Sequence, residues 1–143
     1  MTTYTETAPK QSALTKIVAI LLIVAGAGMF VGGAVTWNMI SSKLAAENIT
    51  VSEDAAQFSG QPVDGPLTAY FEADIINKHS LDATGGKTYA EMDREDPLRA
   101  VAMNGSFLRA SLFTSVVSFG VAALAMGLGA LFFLLGLALR KQA

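Results

Sequence analysis

The sequence predicts an all-α membrane protein, a two-transmembrane-helix hairpin with a mostly helical extracytoplasmic segment between the spans. Three observations predict it. Two stretches, Ile17–Ser42 and Ala110–Leu139, run for 26 and 30 residues without a charge. Charged residues make up 15% of the chain, where a soluble domain carries about 25%. The charge that exists is concentrated between the two stretches: residues 44–108 hold eleven acidic and four basic residues, a net charge of −7.

A helix needs roughly 20 apolar residues to cross a hydrocarbon core of about 30 Å, and both stretches exceed that. Inside lipid the backbone must satisfy its own hydrogen bonds, so each span is expected to be helical. The chain then divides into a cytoplasmic tail at 1–16, a first span at 17–42, an outer segment at 43–108, a second span at 109–139 and a short tail at 140–143. Lys10 and Lys16 precede the first span, and Arg140 and Lys141 follow the second. Basic residues near span ends face the cytoplasm, which puts both termini inside. Lys43 and Arg109 lie on the outer side, so the bias rests on the short basic ends against the acidic middle.

Residues 1–12, rich in Thr, Ser and Gln, read as a polar tail. Ala25-Gly26-Ala27 resembles a signal-peptide cleavage site, but the apolar run continues to Ile40, so a retained span is expected. Trp37 stands near the outer end, where interfacial aromatics collect. In the first span Gly28 and Gly32 form a GxxxG pair, with Thr36 continuing the face. Small residues at this spacing let a second helix approach closely. Ala123 and Gly127 offer a matching small surface on the second span, and the partner of either face is the other span or another protein.

Thirty residues of helix measure about 45 Å, longer than the hydrocarbon core. The second helix is therefore expected to begin outside the bilayer, with Asp96 as its N-cap and Pro97 at its first position, and to break or kink at Asn104-Gly105. In the outer segment, Leu44–Phe58 reads either as a continuation of the first helix or as an extended piece. Ser59–Pro66 is a loop by its Gly and Pro content, and Leu67–Ala83 is a helix ended by Gly85-Gly86, with Leu67, Phe71 and Ile75 on one apolar face. Thr88 with Glu91 is a capping box opening a short helical turn. So small a unit buries little by itself and is expected to pack on the outer ends of the spans or on another protein.

The chemistry-bearing residues are few. The chain has one histidine, His79, and no cysteine, which excludes disulfides and thiolate metal sites. His79 near a helix C-terminus is expected to offset the dipole or bond a carbonyl. Glu91, Asp93, Glu95 and Asp96 lack the glycine and spacing of a calcium loop and read as caps and a solvated face. Gly85-Gly86-Lys87-Thr88 lacks the first glycine of a phosphate loop. No ionisable residue lies within the runs Ile17–Ser42 and Ala110–Leu139, as an ion pathway would require. No catalytic residue, cofactor or metal site is expected.

The strings Thr68-Ala69-Tyr70, Asp74–His79, Ala83–Tyr89, Met92–Pro97 and Ser106–Phe113 resemble a family of small actinobacterial two-span membrane proteins, often called "aromatic ring-opening dioxygenase". The resemblance covers most of the chain. A facial-triad iron site takes two histidines and a carboxylate, so one histidine does not fit that description. The family is also similar to an accessory subunit of the actinobacterial cytochrome bcc–aa3 respiratory supercomplex. The resemblance implies a non-catalytic structural or assembly role, with the cytochrome bcc and aa3 oxidase subunits and the lipid bilayer as partners and no nucleic acid. A different reading is a free-standing envelope protein whose acidic outer segment attracts a basic soluble partner.

Overall fold

A computed structural model describes residues 13–141. The reading of residues 1–12 as a tail lies outside them. The described residues form three α-helices and one 3-10 turn and contain no strand. Helix α1 runs Ala13–Ala46, α2 Pro66–Ala83 and α3 Arg99–Lys141, with the 3-10 turn at Tyr89–Glu91. At 1.5 Å per residue, the 34 residues of α1 and the 43 of α3 make rods of about 51 and 65 Å, long enough to cross a hydrocarbon core of about 30 Å and continue beyond it. In the most apolar eighteen-residue stretch of each, only 17% of residues are buried. A core helix of a soluble protein would bury most of them.

The chain divides into two compact units, Met1–Ala34 with Leu124–Ala143, and Val35–Ala123. In the first, the contact is made backbone to backbone. Gly26 and Gly129 face each other, and Gly136 lies against Ala19 and Ile23, so the two segments run in opposite directions. Ala19, Gly26 and Gly33 are buried seven residues apart, as are Gly129 and Gly136. A seven-residue repeat is the seam of a left-handed helix pair.

The second unit holds the apolar core. Val51, Val63, Ala69, Ala73, Leu44, Leu112 and Phe119 are buried together, with Trp37, Ile40 and Ile49 packed around them. The outer segment thus packs on the ends of the long helices, as its small size requires. Trp37 meets Phe119 edge-on at 4.7 Å between ring centres, so it serves as a packing ring as well as marking the end of the apolar run. Asn48, in the left-handed region at φ 53°, stops α1. Residues 47–65 then fold as a non-helical loop, closed by Val51 N–H to Gln61 O (2.9 Å), Gly60 N–H to Val51 O (2.8 Å) and Val63 N–H to Ile49 O (2.9 Å). The outer segment is therefore helical over only part of its length.

Helix α2 starts one residue before the predicted position, with Pro66 at N1. Its opening is tied by the Thr68 hydroxyl, which accepts from Gly65 N–H at 3.1 Å. At its end Gly86 N–H donates to Leu81 O at 2.7 Å, with Gly85 and Gly86 at φ 64° and 84°, the stop read from the Gly pair. The predicted apolar face is corrected. Leu67 is exposed, and the buried side is Thr68, Ala69, Glu72, Ala73 and Ile75. Two alanines let α2 lie close to its neighbours in a way that Leu67 would prevent.

The Thr88–Glu91 capping box forms: the Glu91 carboxylate accepts from Thr88 N–H at 2.8 Å and from its hydroxyl at 2.7 Å. Asp96 caps the next turn by accepting from Leu98 N–H at 2.9 Å. Helix α3 then runs unbroken from Arg99, so the expected break at Asn104-Gly105 does not occur. Gly105 has a packing role instead. A Cβ there would stand 2.6 Å from Ser80 Oγ on α2, so the glycine permits the close approach.

Candidate helix-packing surfaces

A glycine surface on a membrane helix matters through what it lets come near. The structure separates the glycines of the long helices into two sets. Gly26, Gly129 and Gly136 are used inside the chain: a Cβ on Gly129 would lie 2.6 Å from Phe30 N and 2.7 Å from Gly26 O. Gly28, Gly32 and Gly127 have nothing within 4 Å of where a Cβ would be. Thr36 and Ala123 are exposed too. Of the five residues singled out from the sequence, Gly28, Gly32 and Gly127 thus stand outside the close backbone contact between α1 and α3 and face open space. The glycines that make the contact repeat every seven residues, a signal present in the sequence beside the more familiar four-residue spacing. An apolar groove of about 420 Å³, lined by Gly26, Ala27, Phe30, Val31, Gly129, Ala130, Phe133 and Leu134, lies beside the contact.

His79 is tied to a carboxylate, which corrects the expected carbonyl or helix-dipole role. Its Nε2 lies 2.8 Å from Asp54 Oδ2, and Lys78 Nζ is 3.6 Å from the same oxygen. This joins the 47–65 loop to α2. The hydrogen bond from His79 is the main cause that holds the Asp54 carboxyl below its ordinary value of 3.8, with the charges of His79 and Lys78 acting in the same direction. Glu91 is held below 4.5, first by the Thr88 backbone N–H and then by its hydroxyl. Both carboxyls are depressed on folding, so both contacts stabilise fully above these ordinary values and are lost as pH falls below them, through the lowered values. Acid titration of the full chain in detergent is expected to lower the hydrogen-exchange protection factors of residues 50–62 in this range. Asp54→Asn is expected to lower them already at neutral pH and to remove the acid step. A wild-type loop that keeps its protection at pH 2 refutes the assignment.

Among the described residues no group of three or more His, Asp or Glu side chains is placed to hold a metal ion. Of the acidic residues here, Glu91 and Asp96 act as caps, and Arg99 stacks on the Tyr89 ring at 4.0 Å and donates to Met92 O. Comparison of the chain with protein-family models, with curated proteins and with solved structures finds no match.

Proposed function

We propose that this chain crosses the cell membrane twice as a helical hairpin, with both termini cytoplasmic, and serves as a non-catalytic accessory subunit of a larger membrane complex. The resemblance noted in its sequence points to the actinobacterial cytochrome bcc–aa3 respiratory supercomplex. The observation that carries the reading is the open small-residue face Gly28–Gly32–Thr36 on α1, which the chain's own helices leave uncovered. Without a hydrophobic force between helices in lipid, close packing of small residues is a main source of association. A small membrane protein that keeps such a face apart from its internal contact is suited to joining another helix.

The test is purification in mild detergent with cross-linking mass spectrometry. The wild-type chain is expected to carry cytochrome subunits, with cross-links from the outer segment. Gly28→Leu with Gly32→Leu adds bulk into open space, so the chain folds but retention of its partners falls by roughly tenfold, about 1–2 kcal/mol of lost helix contact. A wild-type chain that migrates only as a small free species sinks the proposal.

Orientation has its own test, helped by the absence of native cysteine. A cysteine replacing Ser59 is expected to react with an impermeant maleimide on intact cells. One replacing Gln142 is expected to react only after permeabilisation. The reverse pattern inverts the topology.

A further inference from the structure

The second unit contains a cavity of about 660 Å³, walled by the outer parts of α1 and α3, by α2 and by Ile49. Its α3 wall, from Leu108 to Ser118, spans about 15 Å along the helix axis. The cavity begins where the charge-free run of α1 ends. Lys43 and Glu47 line one part, and Met39, Ile40 and Leu112 line the apolar remainder. On the reading that the helices cross a bilayer, this is headgroup depth passing into acyl-chain depth.

Hydrogen-bonding capacity in this cavity is lopsided. Glu72 lines it and is only 6% exposed. Its carboxylate accepts from Ser52 N–H at 2.8 Å and from Ser52 Oγ at 3.3 Å. A carboxylate has about four lone-pair positions, so half of them remain. No cation lies within 4 Å of Glu72 among the described residues, although buried charges are ordinarily paired. Three of the four hydroxyls on the α3 wall are acceptors too, Ser111 alone keeping its proton free among the described residues. Thr114, Ser115 and Ser118 each give their one proton to the carbonyl four residues earlier, at 2.8, 3.3 and 2.8 Å, and so present only lone pairs to the cavity. Against these acceptors stands Lys43, which has no ion-pair partner among the described residues.

We propose that this cavity binds the headgroup of a zwitterionic phospholipid bearing a primary ammonium, a phosphatidylethanolamine. The ammonium supplies the donors that Glu72 and the hydroxyls of Thr114, Ser115 and Ser118 lack, and the phosphate meets Lys43. The apolar wall takes the first part of the acyl chains. A quaternary ammonium has no N–H to give and is bulkier, so phosphatidylcholine satisfies the charge but not the acceptors. Phosphatidylglycerol brings a phosphate and hydroxyls but no cation for Glu72.

The test uses the full chain in detergent, with native mass spectrometry and the three lipids supplied at equal concentration with identical acyl chains. Phosphatidylethanolamine is expected to be retained at least about tenfold over phosphatidylcholine, the scale of hydrogen bonds to a charged group. Glu72→Gln keeps an acceptor for Ser52 N–H but removes the charge, and is expected to abolish the preference. Lys43→Gln, at an exposed position, is expected to weaken retention of all three lipids while Trp37 fluorescence and helicity stay unchanged. Equal retention of the three lipids overturns the proposal, as does stronger retention of phosphatidylglycerol, or a preference that survives in Glu72→Gln. The isolated chain is used throughout, so the outcome does not depend on whether it joins a respiratory complex. Failure of the membrane reading would appear separately, in the cysteine-labelling pattern.

Discussion

Replacing Gly129 by alanine is expected to push α1 and α3 apart in the unit formed by residues 13–34 and 124–141. The added methyl group would sit 2.6 Å from Phe30 N and 2.7 Å from Gly26 O. Both are backbone atoms, so no side-chain rotation relieves the overlap, and the helices themselves must move. Overpacking of this kind costs about 1–3 kcal/mol. Gly26→Ala meets the same obstacle from the other side, at 2.5 Å from Phe133 N. The control is Gly127→Ala, where the methyl enters open space. There alanine's better helix propensity is expected to leave stability unchanged or raise it by up to about 1 kcal/mol. Lys16 and Arg140 line one small cavity, so cysteines at these two positions can carry a dye pair that reports helix separation during a titration with sodium dodecyl sulfate. Gly129→Ala should separate at a lower fraction of that detergent than the wild type, and Gly127→Ala should not. Identical midpoints for the two variants would show that the backbone contact is not formed in solution.

The second large effect is expected at Phe119→Ala. Phe119 is 1% exposed and is the largest fully buried side chain. It holds Trp37 at 4.7 Å and belongs to the same cluster as Ala69 and Ala73 of α2. Truncation of a buried phenylalanine costs about 3–5 kcal/mol, part transfer and part cavity. The chain has one tryptophan, so the change is readable directly. Trp37 emission is expected to shift to the red as its ring partner disappears, and the outer segment is expected to lose protection against hydrogen exchange. Phe119→Leu, which keeps most of the volume, is expected to cost less than about 1.5 kcal/mol. An alanine variant with unchanged emission and protection would mean that α2 is held by something other than this cluster.

These two residues show where the sequence is informative and where it is not. Charge-free runs mark the long helices because a membrane-length apolar stretch has few other uses, but they do not mark helix ends. The runs cover 17–42 and 110–139, while the helices extend over Ala13–Ala46 and Arg99–Lys141, because helical hydrogen bonding does not stop at the first charge. Local chemistry was legible at Thr88–Glu91, at Gly85-Gly86 and at Asp96, where donor and acceptor lie within a few residues. It misled at Asn104-Gly105, because a turn-forming pair and a close-packing glycine are spelled alike, and Ser80 lies on another helix. The helix-packing face had the same difficulty. A four-residue spacing of glycines drew attention to Gly28 and Gly32, whereas the internal contact uses Gly26 and the seven-residue spacing of Gly129 and Gly136. Glu72 was one of eleven acids in its segment, and nothing in its neighbours shows that it is buried. The hydrogen bond between Asp54 and His79 spans 25 residues and has no local trace.

The contacts of the outer segment also differ in how far along the chain they reach. Ser52 reaches Glu72 across 20 residues and Asp54 reaches His79 across 25, whereas Trp37 and Phe119 are more than eighty residues apart. Closing the longer loop costs only about 1 kcal/mol more in chain entropy, so the difference matters little for stability. It matters for timing. During synthesis every residue of the Ser52–Glu72 and Asp54–His79 bonds has emerged before α3 exists, and the apolar seal that Phe119 completes must come last. The polar ties are thus available as a clasp that gives the segment a shape early, leaving the second long helix to close over a surface already in place.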